Sequence, residues 1–200
     1  MTTAKQLLMA ATRQRHPPFI EAVVADARIT AERRGERAEF RSRADAVAQM
    51  ARLALVSDGY LAMVCYRLKA SLQRRGVPVV PRLLHRMAMM IAQISIGDPV
   101  VIEPGVYIAH GQVVIDGLVD IGAGTAIAPW TSIGLKFGTI KGPTIGRNCK
   151  IGTGSRLLGS FTIGDGAQIG ANAVVLGDVP AGAVAVGIPA RVIDQSAGGS

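Results

Sequence analysis

The chain has 200 residues, a net charge of +8, 49% hydrophobic residues and 18% charged ones, too apolar for disorder and long enough for one domain or a domain with an extension. Aromatic residues are only 4%, which argues against stacking-based capture of single-stranded nucleic acid, and two cysteines, Cys65 and Cys149, cannot build a disulfide framework. No stretch approaches the ~20 uncharged apolar residues of a membrane span, and Lys5, Arg13 and Arg15 leave no room for a leader core, so a soluble cytoplasmic protein without membrane or nucleic-acid partners is expected.

The charge is not spread evenly. Residues 1–98 carry 16 Lys and Arg against 8 Asp and Glu, whereas residues 99–200 carry 6 of each. Glycine splits the other way, with 3 of 24 before residue 97. These shifts set a boundary at Gly97-Asp98-Pro99, giving a helical domain over 1–97, a second domain over 98–193 and a flexible tail over 194–200.

Helices are predicted over Phe19 to Arg34, Asp45 to Val56, a stretch running from Asp58 to Gly76, and Pro81 to Gln93. The third carries Leu61, Val64, Leu68 and Leu72 as an apolar stripe, with Asp58 as its cap and Gly76 and Pro78 as its stop. Helices this short need a partner surface. His16 is expected in a basic, mobile N-terminal stretch. Arg28, Arg33, Arg34, Arg37, Arg41 and Arg43 interleave with Glu32, Glu36 and Glu39, which predicts a solvated surface laced with ion pairs. Met87, Met89 and Met90 suggest packing or an oligomer contact.

The second half repeats. Ile115, Ile121, Ile127 and Ile133 recur every six residues, and after an interval of twelve so do Ile145, Ile151, Leu157, Ile163, Ile169 and Val175. Small or short residues follow four places on at Thr125, Thr131, Cys149, Ser155, Ala167 and Ala173. A period of six fits neither a plain strand nor an amphipathic helix. It fits a parallel β-helix, where each hexapeptide forms one side of a coil and stacking supplies the stability. One extra residue enters around His110-Gly111. Residues 135–143, Gly-rich and basic, are expected to leave the coil as a loop.

The stretches Ile145-Gly-Arg-Asn-Cys-Lys-Ile-Gly-Thr-Gly-Ser-Arg-Leu-Leu-Gly, Ile163-Gly-Asp-Gly-Ala-Gln-Ile-Gly-Ala-Asn-Ala-Val-Val-Leu and Gly187-Ile-Pro-Ala-Arg-Val-Ile resemble the hexapeptide-repeat acyltransferases, bacterial serine acetyltransferases among them. The resemblance implies an all-β left-handed parallel β-helix behind an N-terminal α-helical domain. It also implies a homotrimer or a dimer of trimers, acetyl-CoA as donor in a groove between subunits, no metal, and transfer to the hydroxyl of serine or a related acceptor in cysteine biosynthesis. An acceptor that is a sugar or a natural-product intermediate, or a catalytically silent scaffold, are the alternatives. A zinc hydratase on the same coil needs about three His ligands, and this half has only His110.

Residue by residue, the resemblance places the general base at His110, which suits a weakly nucleophilic hydroxyl. Asp98, Glu103 or Asp116 would orient it, since the family's Asp partner aligns with Ser95. The Gly134 amide is a candidate oxyanion donor. Thr153, Ser155, Ala171 and Ala173 would let the pantetheine arm approach. Lys136, Lys150, Arg156 and Arg191 are candidates for the phosphates. Acceptor positions fall at Ala109, where the family has Asp, at Lys141, where it has Arg, and at Gly142, where it has a second His. Trp130 is expected at a coil face or trimer contact. Family members often end in Ile, which docks into the next enzyme of cysteine synthesis; this sequence ends Asp-Gln-Ser-Ala-Gly-Gly-Ser, so no such docking is expected.

Overall fold

The computed structural model describes residues 3–193, with side chains from residue 7 onward; the expected tail, 194–200, lies outside them. Five α-helices come first: α1 (Thr3–Gln14), α2 (Phe19–Arg33), α3 (Arg43–Val56), α4 (Asp58–Arg74) and α5 (Val80–Met87). A π-helical turn, Ala88–Ala92, follows α5 and ends on Gln93 in the left-handed region. None of the described helices is long and apolar enough to cross a membrane.

Two helix starts, those of α3 and α4, follow side-chain capping. Ser42 accepts from the Asp45 amide at 3.1 Å to open α3. Ser57, not Asp58, accepts from the Tyr60 amide at 3.3 Å to open α4, because an N-cap must sit outside the helix to reach back to its free N–H groups.

The coil begins at Ile94, ahead of the compositional boundary. Its first turn is β1 (Ile94–Ile96), β2 (Val101–Ile102) and β3 (Tyr107–Ile108); its second is β4 (Val113–Ile115), β5 (Leu118–Ile121) and β6 (Ala126–Ile127). The third is β7 (Ser132–Gly134), β8 (Lys141–Ile145) and β9 (Lys150–Ile151), and the fourth β10 (Arg156–Leu158), β11 (Thr162–Ile163) and β12 (Gln168–Ile169). The chain closes with β13 (Val174–Val175), β14 (Val184–Val186) and β15 (Arg191–Ile193).

These strands stack into three parallel sheets, the faces of a triangular prism. Face A holds β1, β4, β7, β10 and β13; face B holds β2, β5, β8 and β11; face C holds β3, β6, β9, β12 and β14. Only β15 runs antiparallel, against β14. The six-residue period becomes three files of buried aliphatics. On face A, Ile96, Ile115, Ile133 and Leu157 stand in register and none is more than 3% exposed. The small residues four places on turn inward at the corners: Thr125, Thr131, Cys149, Ser155, Ala167 and Ala173 are all 0% exposed.

The partner surface that the helices need is the open end of this prism. One apolar core joins Ala62, Met63, Cys65, Tyr66, Ala88 and Ala92 to the coil aliphatics. The first coil has no coil before it, so its outward carbonyls need other donors. Lys69 Nζ donates to the Ile96 carbonyl at 2.7 Å, the Tyr66 hydroxyl to Val100 at 2.7 Å, and Arg67 to the carbonyls of Ile102 and Glu103. The Asp26 carboxylate accepts from the amides of Gly105 and Val106 at 2.8 and 3.3 Å. α4 rests directly on face C: a Cβ at Gly59 would lie 1.9 Å from the Ile108 carbonyl oxygen.

Two expectations change here. α4 is enclosed on most sides, so Leu61, Val64, Leu68 and Leu72 are only half-buried while Arg67 and Lys69 are 3% and 2% exposed. His16 is no mobile residue. It is 6% exposed, its Nδ1 stands 3.3 Å from the Tyr66 hydroxyl, and burial pulls its pKa down to about 4, helped by Arg67 and Lys69. The basic run does pair: Arg34 and Arg52 both meet Glu36, and Arg37 meets Asp45.

Candidate functional site

The corner between faces C and A holds the extra residue. Ile108 pairs with Ile127, yet Val114 pairs with Ser132, so the upper coil gains one residue between the two pairs. The gain is taken up at His110-Gly111. Gly111 slides beneath the Ala92 carbonyl, where a Cβ would come within 2.3 Å. Gln112 then donates its amide to Gln93 at 2.8 Å. His110 is left exposed on the corner. Below it a column of left-handed residues turns each coil: Gln112 (φ 63), Trp130 (φ 64), Gly154 (φ 76) and Asn172 (φ 57).

A groove starts at Ala109 and runs down the outer side of face C. Its floor is small or flat: Ala126, Ala128, Gly152 and Gly170. Tyr107, Lys150 and Gln168 line it, and Arg33 reaches its edge from α2. Arg33, Tyr107 and Gln168 were not singled out by the sequence as lining this groove. The signal was present in part, since Tyr107, Ala126, Lys150 and Gln168 each immediately precede a stacked aliphatic and must therefore face outward.

Most of the expected site residues lie at two corners of the prism. Ala109, His110, Thr153 and Ala171 lie at the corner between C and A, the last two exposed. Asp98, Asp116, Gly134, Lys136, Lys141 and Gly142 lie at the corner between A and B. The three-residue strands of face A separate the two groups by roughly 10 Å of strand. Neither carboxylate therefore orients His110 within the chain. Asp98 is 3.0 Å from the Lys69 ammonium, and Asp116 accepts from the Gly117 amide at 2.8 Å. Burial raises the Asp98 carboxyl, but Lys69 outweighs it and holds the group below its ordinary value. Glu103 stands at the third corner, where it takes Arg147 at 2.9 Å and the Ala123 amide at 2.9 Å.

Other expectations are also corrected. Ser155 and Ala173 point into the prism and cannot line a groove for pantetheine. The Arg156 guanidinium is committed to the carbonyls of Trp130, Gly154 and Ser155, which ties the corner together. Lys141 and Gly142 belong to β8, not to the loop, with Lys141 opposite Leu118 across a bulge and Gly142 packed on Val119. Gly134 is buried, with its carbonyl accepting from Gly159. Lys136 is exposed, its carbonyl held by Thr139 in a tight turn, and Arg191 is exposed on β15. Among the described residues no three His, Cys, Asp or Glu side chains gather as a metal site would require.

Residues 142–177 match the family model described as bacterial transferase hexapeptide (six repeats). The serine acetyltransferase of Helicobacter pylori strain J99 is 38% identical over 144 residues, covering 70% of this chain and 84% of that relative. The chain belongs to the serine acetyltransferase family. Soybean serine acetyltransferase superposes with a TM-score of 0.75 at 30% identity, over 88% of this chain and 69% of that one. A serine acetyltransferase solved in complex with CoA superposes with a TM-score of 0.72 at 25% identity, over 92% of this chain and 73% of that one. The superposed lengths, 88% and 92% of this chain, take in helices as well as coil.

Proposed function

We propose that this chain transfers the acetyl group of acetyl-CoA to the hydroxyl of L-serine or a closely related acceptor, with His110 as general base. The observation that carries the reading is the single inserted residue at a regular corner, which leaves His110 exposed directly after Ala109, where a small-residue groove begins. An irregularity in a repeat is a designed feature, and a flat floor of Ala and Gly suits a thin pantetheine arm. Lys150 and Arg33 supply cations for fixed phosphate charge along the same groove.

The chemistry needs no redox partner. An imidazole nitrogen of His110 takes the hydroxyl proton as the oxygen attacks the thioester carbonyl. The tetrahedral intermediate collapses with cleavage of the C–S bond, and the imidazolium returns its proton to the departing thiolate, giving O-acetyl product and free CoA.

The division of candidate residues between two corners supports a site shared by neighbouring subunits of a homotrimer. A three-fold arrangement would set the corner with His110 against the neighbour's corner between faces A and B. The reading places the enzyme in cysteine biosynthesis in the cytoplasm. Thiol release from acetyl-CoA with L-serine tests it, and His110→Ala lowers turnover by ~10²–10⁴ if the imidazole is the base. Unchanged turnover in that variant removes the mechanism.

A further inference from the structure

Trp130 is the sole tryptophan of the chain, and its position is unusual three times over. Its backbone is left-handed, φ 64, a region that a bulky side chain resists. The next two coils fill the same corner with Gly154 and Asn172, the residues that tolerate it. Its side chain is not buried to compensate: the residue is 56% exposed. Finally, its carbonyl is tied down by the Arg156 guanidinium, which also holds Gly154 and Ser155.

A strained aromatic fixed in place and left in the open points to a function. Gln112 occupies the same corner position one coil above, about 4.8 Å away along the stack, and His110 lies two residues before Gln112. The corner segments 109–112, 128–131, 152–155 and 170–173 contain no Asp or Glu. They offer an imidazole and an indole, and the adjoining Arg156 guanidinium is already bound to three backbone carbonyls.

We infer that Trp130 is a specificity-determining residue of the acceptor site, where the indole face takes an apolar or aromatic group carried by a hydroxyl acceptor larger than free serine. The inference rests on the acetyl-transfer reading of His110. An apolar group gains contact area on the indole, and the four corner segments of the chain that carries His110 offer an ammonium no carboxylate of their own.

N-benzoyl-L-serine is a suitable probe, since it keeps the hydroxyl, adds a ring and lacks the ammonium. Because the tryptophan is unique, its emission reports directly on the site. Titrating the intact protein with the probe in the presence of CoA shifts or quenches the emission, whereas L-serine does so weakly. Trp130→Gly and Trp130→Asn, which copy the residues that Gly154 and Asn172 place in the next two coils, fold at this corner. They lose at least tenfold in kcat/KM for the probe relative to L-serine and leave the KM for acetyl-CoA unchanged. Two results overturn the inference: an emission unmoved by the probe with discrimination intact in both variants, or dissociation of the oligomer in both, which would make the indole an assembly contact. No turnover with any acceptor would sink the acetyl-transfer reading instead, and the emission titration, which needs no turnover, judges the indole separately.

Discussion

Arg67 and Asp26 meet through two contacts, 2.9 and 3.2 Å, with side chains 2% and 1% exposed. Between them they satisfy two carbonyls and two amides on the first coil. Asp26→Asn leaves the guanidinium buried without its counter-charge and is expected to destabilise the protein by about 3–5 kcal/mol. Urea unfolding followed by circular dichroism measures it; a loss below about 1 kcal/mol would show that the pair does not hold helices and coil together.

The contact between Gly59 and Ile108 predicts a steric cost. Gly59→Ala forces α4 off face C, because the Ile108 carbonyl oxygen blocks the new methyl group. A loss of about 2 kcal/mol is expected, a fall in Tm of about 4–8 °C at this size. Gly177→Ala meets nothing within 4 Å and serves as the control, with a change under about 0.5 kcal/mol.

Acid should loosen the same end of the molecule through His16. Burial holds its pKa at about 4, below the ordinary 6.5, so the unfolded chain binds a proton that the folded chain refuses between those values. Stability from this residue is therefore intact above pH 6.5 and falls as the pH drops towards 4. The loss is on the order of 2 kcal/mol. His16→Gln removes this slope, and the difference between the two proteins in urea midpoint at pH 7 and pH 5 measures it; parallel curves would contradict the assignment.

Ser155 offers a test of which residues face the donor. Its hydroxyl is buried without a hydrogen-bond partner, and Ala173 fills the equivalent place one coil on, also fully buried. Ser155→Ala is expected to be neutral or stabilising by up to about 1 kcal/mol and to leave the KM for acetyl-CoA unchanged. A rise in that KM would mean that the side chain leaves the prism when donor binds.

The coil was legible because its code is one-dimensional. Ile115, Ile133 and Leu157 stack whatever their neighbours do, since each coil buries the next. Even the slip at His110-Gly111 could be counted in the sequence. The helical end was harder to read. The strongest apolar stripe of α4 is half-buried, and the helix instead buries Arg67 and Lys69, which a hydrophobic pattern assigns to solvent. His16 was misplaced for the same reason, because its environment comes from Tyr66, 50 residues away. For the site, spacing found His110 but not which corner each candidate occupies. Asp98 and Asp116 are close to His110 in number, yet a strand of face A stands between them.

The sealing of the first coil by α4 has a consequence beyond stability. A solenoid built from identical hydrogen-bonding steps has no intrinsic length, and a bare terminal coil is a template on which another molecule's coil can continue. Here one terminus is occupied by a lysine, an arginine, a tyrosine and an aspartate, and at the other a reversing strand covers the last strand of face C. The helical end therefore cannot accept a further coil, where the same repeat left unstoppered there would favour fibre growth.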